Sequence, residues 1–180
     1  MDQLERNKAL VREFLDALGR LDTEAFLACM SDDVLFETPG HHQASGIKTK
    51  AQVAKEFPAM REVLPQGLKF TLLTMTAEAD RVHVELAGEA KTADGRDYNN
   101  RYHYAFVIRT NKIVSFRDYM DSDLVVRILV PAFARYGAAL ADIDPQPWHI
   151  DSFVAGRLAF TVLPGLHDGA TWRHPAVAQH

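Results

Sequence analysis

Apolar positions recur at helical spacing over the first part of the chain and alternate strictly from about residue 68 onward. Leu4, Val11, Leu15 and Leu18 share one helical stripe, which Leu10, Phe14 and Ala17 widen, and Gly19 supplies a stop. A second short helix is expected from Asp22, an N-cap residue type, with Ala25, Phe26, Cys29 and Met30 on its buried side. Asp32-Asp33 should end it, and Val34-Leu35-Phe36 begins a short strand. Pro39 to Gly46, which holds His41 and His42, reads as a loop. Thr49 or Lys50 then opens a third helix to about Leu64, burying Val53, Phe57 and Met60, with a kink or break at Pro58.

After Pro65 and Gly67 the period becomes two. Leu68, Phe70 and Leu72 form one alternating set, and Val82, Val84 and Leu86 a second. Tyr102, Tyr104, Phe106 and Ile108 form a third, and Val114 and Phe116 a fourth. Ala79-Asp80, Ala93-Asp94-Gly95 and Thr110-Asn111 are turn-type separators, so the four strands should run as an antiparallel meander. Helices first and strands afterwards indicate an α+β domain with helices on one face of a curved sheet. From Asp123 the helical spacing returns through Val126, Leu129, Val130, Phe133, Tyr136 and Leu140. Asp144-Pro145-Gln146-Pro147 breaks it, and a further apolar segment runs from Phe153 to Leu163. That C-terminal stretch, with Trp148 and Trp172, reads as a cover over the sheet or over a neighbouring subunit.

Composition narrows the function classes. The chain of 180 residues has a formal charge of −4 and scattered Lys and Arg, which argues against a nucleic-acid partner. No run approaches the roughly 20 apolar residues that span a bilayer, and the N-terminus shows no basic-then-apolar signal pattern. The single cysteine, Cys29, cannot form an internal disulfide and sits in an apolar run, so it reads as a core residue in a reducing, cytoplasmic setting.

Parity then singles out one acid. Strict alternation places Val114, Phe116, Asp118 and Met120 on one inward face, which carries a carboxyl group into apolar surroundings. The preceding strand points Asn100, Tyr102 and Tyr104 the same way, and either Tyr102 or Tyr104 should lie directly across from Asp118. Burial raises a carboxyl pKa towards neutrality, which proton transfer requires. By the same parity Glu37, Glu85 and Glu89 face outward, and His103 is expected at the outer sheet face or a dimer interface.

The runs Gly95-Arg96-Asp97-Tyr98-Asn99-Asn100-Arg101-Tyr102-His103-Tyr104 and Lys112-Ile113-Val114-Ser115-Phe116-Arg117-Asp118-Tyr119-Met120-Asp121 resemble the closing strands of SnoaL-like proteins. These belong to the nuclear transport factor 2-like superfamily, with ketosteroid isomerase, limonene-epoxide hydrolase and scytalone dehydratase among its members. The resemblance extends to the N-terminal helix and to Ser31-Asp32-Asp33-Val34-Leu35-Phe36-Glu37-Thr38-Pro39-Gly40, covering roughly Asn7 to Leu129. It implies a cone of curved antiparallel sheet on three N-terminal helices, usually a homodimer, with a deep cofactor-free pocket. The cone would occupy residues 1–130, and a helical extension and tail residues 131–180.

Carried over residue by residue, the resemblance gives Asp118 the place of the aspartate that works with an Arg and a second Asp in the epoxide hydrolase. Leu86 and Gly88 stand where those two partners would be. Thr38 occupies the general-base position of ketosteroid isomerase, and Phe14 that of its oxyanion-hole tyrosine. Neither mechanism is therefore expected, and what survives is similar to the polyketide-cyclase arrangement, in which one aspartate handles the proton transfers.

The expected site has Asp118, Tyr102, Tyr104 and Asn100 as its chemistry. Phe14, Leu18, Phe36, Thr38, His41, His42, Leu86, Phe116 and Met120 would form its walls. His41 and His42 border the pocket mouth by the resemblance, and adjacent histidines point apart, so no metal is expected there or elsewhere. Two readings stand: a cofactor-independent enzyme acting on a hydrophobic oxygenated small molecule, and a non-catalytic binding or association domain using the same pocket.

Overall fold

The structure, a computed structural model, describes residues 2–136; the expectations for Leu140, for the break at 144–147, for Trp148 and Trp172 and for the segment 153–163 lie outside them. Helix α1 (Gln3–Gly19) starts at Asp2, whose carboxylate accepts from the Glu5 amide. It buries Val11, Phe14, Leu15 and Ala17, as its stripe predicts, while Leu4 stays 36% exposed at the first turn. Asn7 interrupts the stripe yet is also buried. Its Nδ2 donates to the Ala79 carbonyl at 3.3 Å, which ties the helix to the turn between two strands. Asp22 caps α2 (Thr23–Ala28) through the Ala25 amide.

The expected third helix is broken where Pro58 predicts. A Thr49/Gln52 capping box opens α3 (Lys50–Glu56), and Pro58 stands at the start of α4 (Ala59–Val63). Gly19 and Gly67 let the end of α1 meet the start of the sheet. A Cβ on Gly67, whose φ is +74°, would lie 2.3 Å from the Gly19 carbonyl oxygen, and that same oxygen accepts from the Leu68 amide at 2.9 Å.

Six strands form one open, curved sheet: β1 (Met30–Thr38), β2 (Gly46–Thr49), β3 (Lys69–Glu78), β4 (Arg81–Lys91), β5 (Asp97–Arg109) and β6 (Lys112–Met120), in spatial order β2-β1-β6-β5-β4-β3. The last four are the expected antiparallel meander. Two features differ from the local pattern. β1 begins at Met30, four residues early, because a bulge between Met30 and Leu35 absorbs the exposed Asp32 and Asp33 while Met30 pairs with Ile113. β2 lies at the end of the expected loop and pairs with β1, an arrangement its four residues do not announce. β1 and β6 run parallel, the one pair that departs from the antiparallel pattern, since β2, two helices and the first three strands of the meander lie between them in the chain.

Bulges also change the expected inward parity in two places. Between Leu72 and Thr74 the register slips by one, so Met75 and Ala77 turn towards the core, while Leu72 stays opposite the buried Leu86 and is 40% exposed. Between Val107 and Ile108 a second slip makes Ile113, not Val114, the fully buried residue at the start of β6.

The chain continues through α5 (Ser122–Leu124), a π-turn at Val125–Leu129 and α6 (Val130–Tyr136). Asp121 caps this helix. The Arg96 guanidinium reaches the carbonyls of Arg127 and Ile128, both at 3.4 Å, where the wide turn disturbs the ladder. Val125, Leu129 and Ala132 join the core. Among the described residues no helix is long and apolar enough to cross a membrane.

Candidate active site

β5 and β6 supply the site. Their two-residue connection, Thr110-Asn111, has positive φ at both positions (48° and 56°), the turn that matches the strands' own twist. The resulting register puts Tyr104 directly across from Asp118 and Tyr102 across from Met120, which resolves the alternative left by the sequence. Asp118 follows Phe116 inward, and its Oδ1 is shut off from solvent with no hydrogen-bond partner. Burial pushes its pKa from the ordinary carboxyl value up to about 8, so the acid form predominates at neutral pH.

Asp118 is half-buried as a residue, and aromatic rings line the inner face beside it. Tyr104 meets Phe116 edge-on with centroids 5.0 Å apart, Phe36 lies 4.5 Å from Phe116, and Tyr102 lies 5.3 Å from Tyr104. Phe70 closes against Tyr102 at 5.7 Å. Tyr102 and Tyr104 are both buried, and desolvation first and the Asp118 and tyrosine neighbours second hold their phenols well above the usual range. A third phenol, Tyr98, belongs to the same group; it is 1% exposed and raised to about 12, mainly by desolvation. Sequence reasoning passed over Tyr98, although its parity with Asn100, Tyr102 and Tyr104 is the signal that finds it.

Asn100 is buried but already committed. Its Nδ2 donates to the Tyr98 hydroxyl and to the Asp121 carbonyl, both at 3.2 Å. Its Oδ1 accepts from the amides of Arg101 and Asp121 at 2.7 and 3.1 Å. The amide therefore locks the end of β6 and orients Tyr98, a positioning task in place of the expected polarisation of a substrate oxygen.

The remaining wall residues divide. Phe14 is fully buried, with Phe26, Phe106 and Phe116 centroids 4.8, 5.2 and 5.0 Å away, so it is a core ring. Leu86 is buried opposite Tyr102, Leu18 and Met120 pack partly buried against the core, and Thr38 is buried at the end of β1. Gly88 has a steric reason: a Cβ there would meet Tyr102 Cε2 at 2.7 Å and Phe70 at 3.3 Å. Aromatic rings thus occupy the space a carboxylate at residue 88 would need. His41 is exposed. His42 accepts the Ala44 amide on Nδ1 at 3.2 Å, which leaves the proton of the neutral ring on Nε2, a buried atom with no partner. Burial lowers its pKa. Among the described residues no three His, Cys, Asp or Glu side chains gather to hold a metal ion. A groove of about 640 Å³, lined by Arg6, Leu10, Glu13, Cys29 and Lys112, lies along α1 and α2 and includes none of the residues around Asp118.

A family model described as a SnoaL-like domain matches residues 11–116. The chain belongs to this SnoaL-like family. The matched segment stops two residues before Asp118. Solved structures share the fold at low identity. An NTF2-like protein from Burkholderia xenovorans is 22% identical over 70% of this chain and 97% of its own, with a TM-score of 0.57. PrhC from Penicillium brasilianum is 19% identical over 77% and 94%, at 0.66. An LEH-like epoxide hydrolase from M. tuberculosis is 19% identical over 74% and 99%, at 0.60. No curated protein matches the chain. SnoaL-like relatives therefore share the architecture described above, while their reactions are their own.

Proposed function

We propose that this SnoaL-like protein is a cofactor-independent enzyme in which Asp118 transfers a proton to or from a hydrophobic, oxygenated small molecule. The observation that carries the reading is the solvent-excluded Asp118 Oδ1, which has no partner while its cross-strand neighbour is a tyrosine. A buried polar atom without a partner is costly, and a ligand oxygen would relieve that cost. With its pKa raised to about 8, Asp118 begins the cycle as an acid at neutral pH, donating to a carbonyl or leaving oxygen. It then recovers the proton as a base. Tyr104 and Tyr102, kept protonated by burial, offer O–H donors to the same oxygen, and Asn100 holds Tyr98 and the strand end in place. Isomerisation, cyclisation, dehydration and hydrolysis all contain such a step.

Deuterium exchange tests this without knowledge of the substrate. The protein is incubated in D2O with a panel of hydrophobic ketones and hydroxy-ketones, and uptake beside the carbonyl is read by mass spectrometry. We expect exchange with at least one member, reduced about 100-fold or more in Asp118→Asn. Equal exchange in the variant removes Asp118 from the mechanism. On the family resemblance the working unit is a homodimer, which light scattering checks; a monomer removes that part.

A second reading has its own observation. Phe14 replaces a hydroxyl with a ring packed by three others, so the same interior could hold a ligand without turning it over. A co-purified small molecule seen by native mass spectrometry, with no exchange activity, would favour that binding role.

A further inference from the structure

The outer face of the sheet carries a pair of imidazoles unrelated to Asp118. His83 on β4 and His103 on β5 are both exposed, and His83 Nδ1 lies 3.1 Å from His103 Nε2. The rings are 5.4 Å apart and inclined by 52°. His83 pairs with Ala105 and His103 with Glu85, so the two are diagonal neighbours on one face. The β4–β5 ladder runs from Arg81↔Val107 to Lys91↔Asp97 without a bulge, which holds both Cα positions rigidly.

We propose that His83 and His103 form a bidentate chelating site for a divalent transition-metal ion that favours imidazole, of the nickel, copper or zinc type. Metal–imidazole bonds of about 2.0–2.1 Å would span a 3.1 Å nitrogen separation at an angle of roughly 100°, between octahedral and tetrahedral values. Binding would require both facing nitrogens to be free of a proton, which the other tautomer of the donor ring provides, and the two rings to turn until their lone pairs meet at one point. Among the described residues no third ligand joins the pair, so water would complete the coordination.

Arg81 shares the outer face of β4, but Asp80 lies 3.9 Å from it. Arg117 on β6 is paired with Glu37 at 2.7 Å. Glu85 stands opposite His103 and adds negative charge.

The test is calorimetric titration of the full chain with Ni²⁺ at neutral pH, beside His83→Gln/His103→Gln and each single variant. The other six histidines are present in every protein and supply a common background. Wild type should take up one Ni²⁺ more per chain than the double variant. Each single variant should weaken that site about tenfold or more, because one imidazole loses the benefit of the other's proximity. Both side chains are exposed, so circular dichroism should show an unchanged fold. Identical isotherms for wild type and double variant would reduce the pair to an imidazole hydrogen bond and overturn the proposal. Full affinity in either single variant would do the same.

Discussion

Arg117 and Asp118 are consecutive residues of β6, and the two faces of the sheet treat their charges in opposite ways. On the outer face Arg117 donates from Nε to Glu37, whose side chain is 7% exposed, and both charges are satisfied across the parallel β1–β6 pair. On the inner face Asp118 is left beside Tyr104 with a buried, partnerless Oδ1. Charge pairing on one side helps to fix which strand lies next to β6, and the other side holds an acid in reserve. The outer face is structural at this point, and the inner face carries the group to which the proposed function assigns the chemistry.

Four experiments sharpen that contrast. The largest effect is expected from Asp118→Asn followed against pH. The folded carboxyl holds its proton up to about 8, whereas the unfolded chain releases it near 3.8. Between those values the native state carries more protons, so wild-type stability is complete in acid, falls as pH rises and is fully reduced above about 8. Asn has no such slope, and the variant should gain on the order of 6 kcal/mol relative to wild type between pH 4 and 9 in urea unfolding. Parallel curves would mean that Asp118 is solvated or paired.

Glu37→Gln comes next. Removing the Glu37 charge beside Arg117 should cost about 3 kcal/mol by the same measurement, and Glu37→Met with Arg117→Met should recover most of it. An unaffected single variant would demote the pair to a surface contact. On the inner face Gly88→Ala must displace the Tyr102 ring, for about 2 kcal/mol of destabilisation and a changed tyrosine near-ultraviolet signal. No change in that signal would place Tyr102 elsewhere. The smallest stability effect belongs to Tyr104→Phe, within about 1 kcal/mol of wild type, with exchange activity down about tenfold. A variant with full activity would confine Tyr104 to packing.

The sequence shows its limits most clearly where long-range pairing intervenes. Glu37 is out of phase with Phe36 and Thr38 and does face away from them, but its burial depends on Arg117 arriving from eighty residues later. Val114 follows perfect alternation and still leaves the inner face, because it falls in a one-residue slip that only the partner strand creates. Asn100 points inward as parity requires, yet its hydrogen bonds go to Tyr98, Arg101 and Asp121, so its task could not be read from its position.

What the amino-acid order determined alone was local: the helix stripes, their caps, the break at Pro58, the meander, and the inward direction of Asp118 beside a tyrosine. Those follow from periods of 3.6 and two and from residue types that act within a few positions. Tertiary structure decided the parallel seating of β1 on β6, the bulges, the choice of Tyr104 over Tyr102, and the lack of any partner for Asp118 Oδ1. Each depends on which distant strands meet and in what register, and that is settled by burying the shared core as a whole.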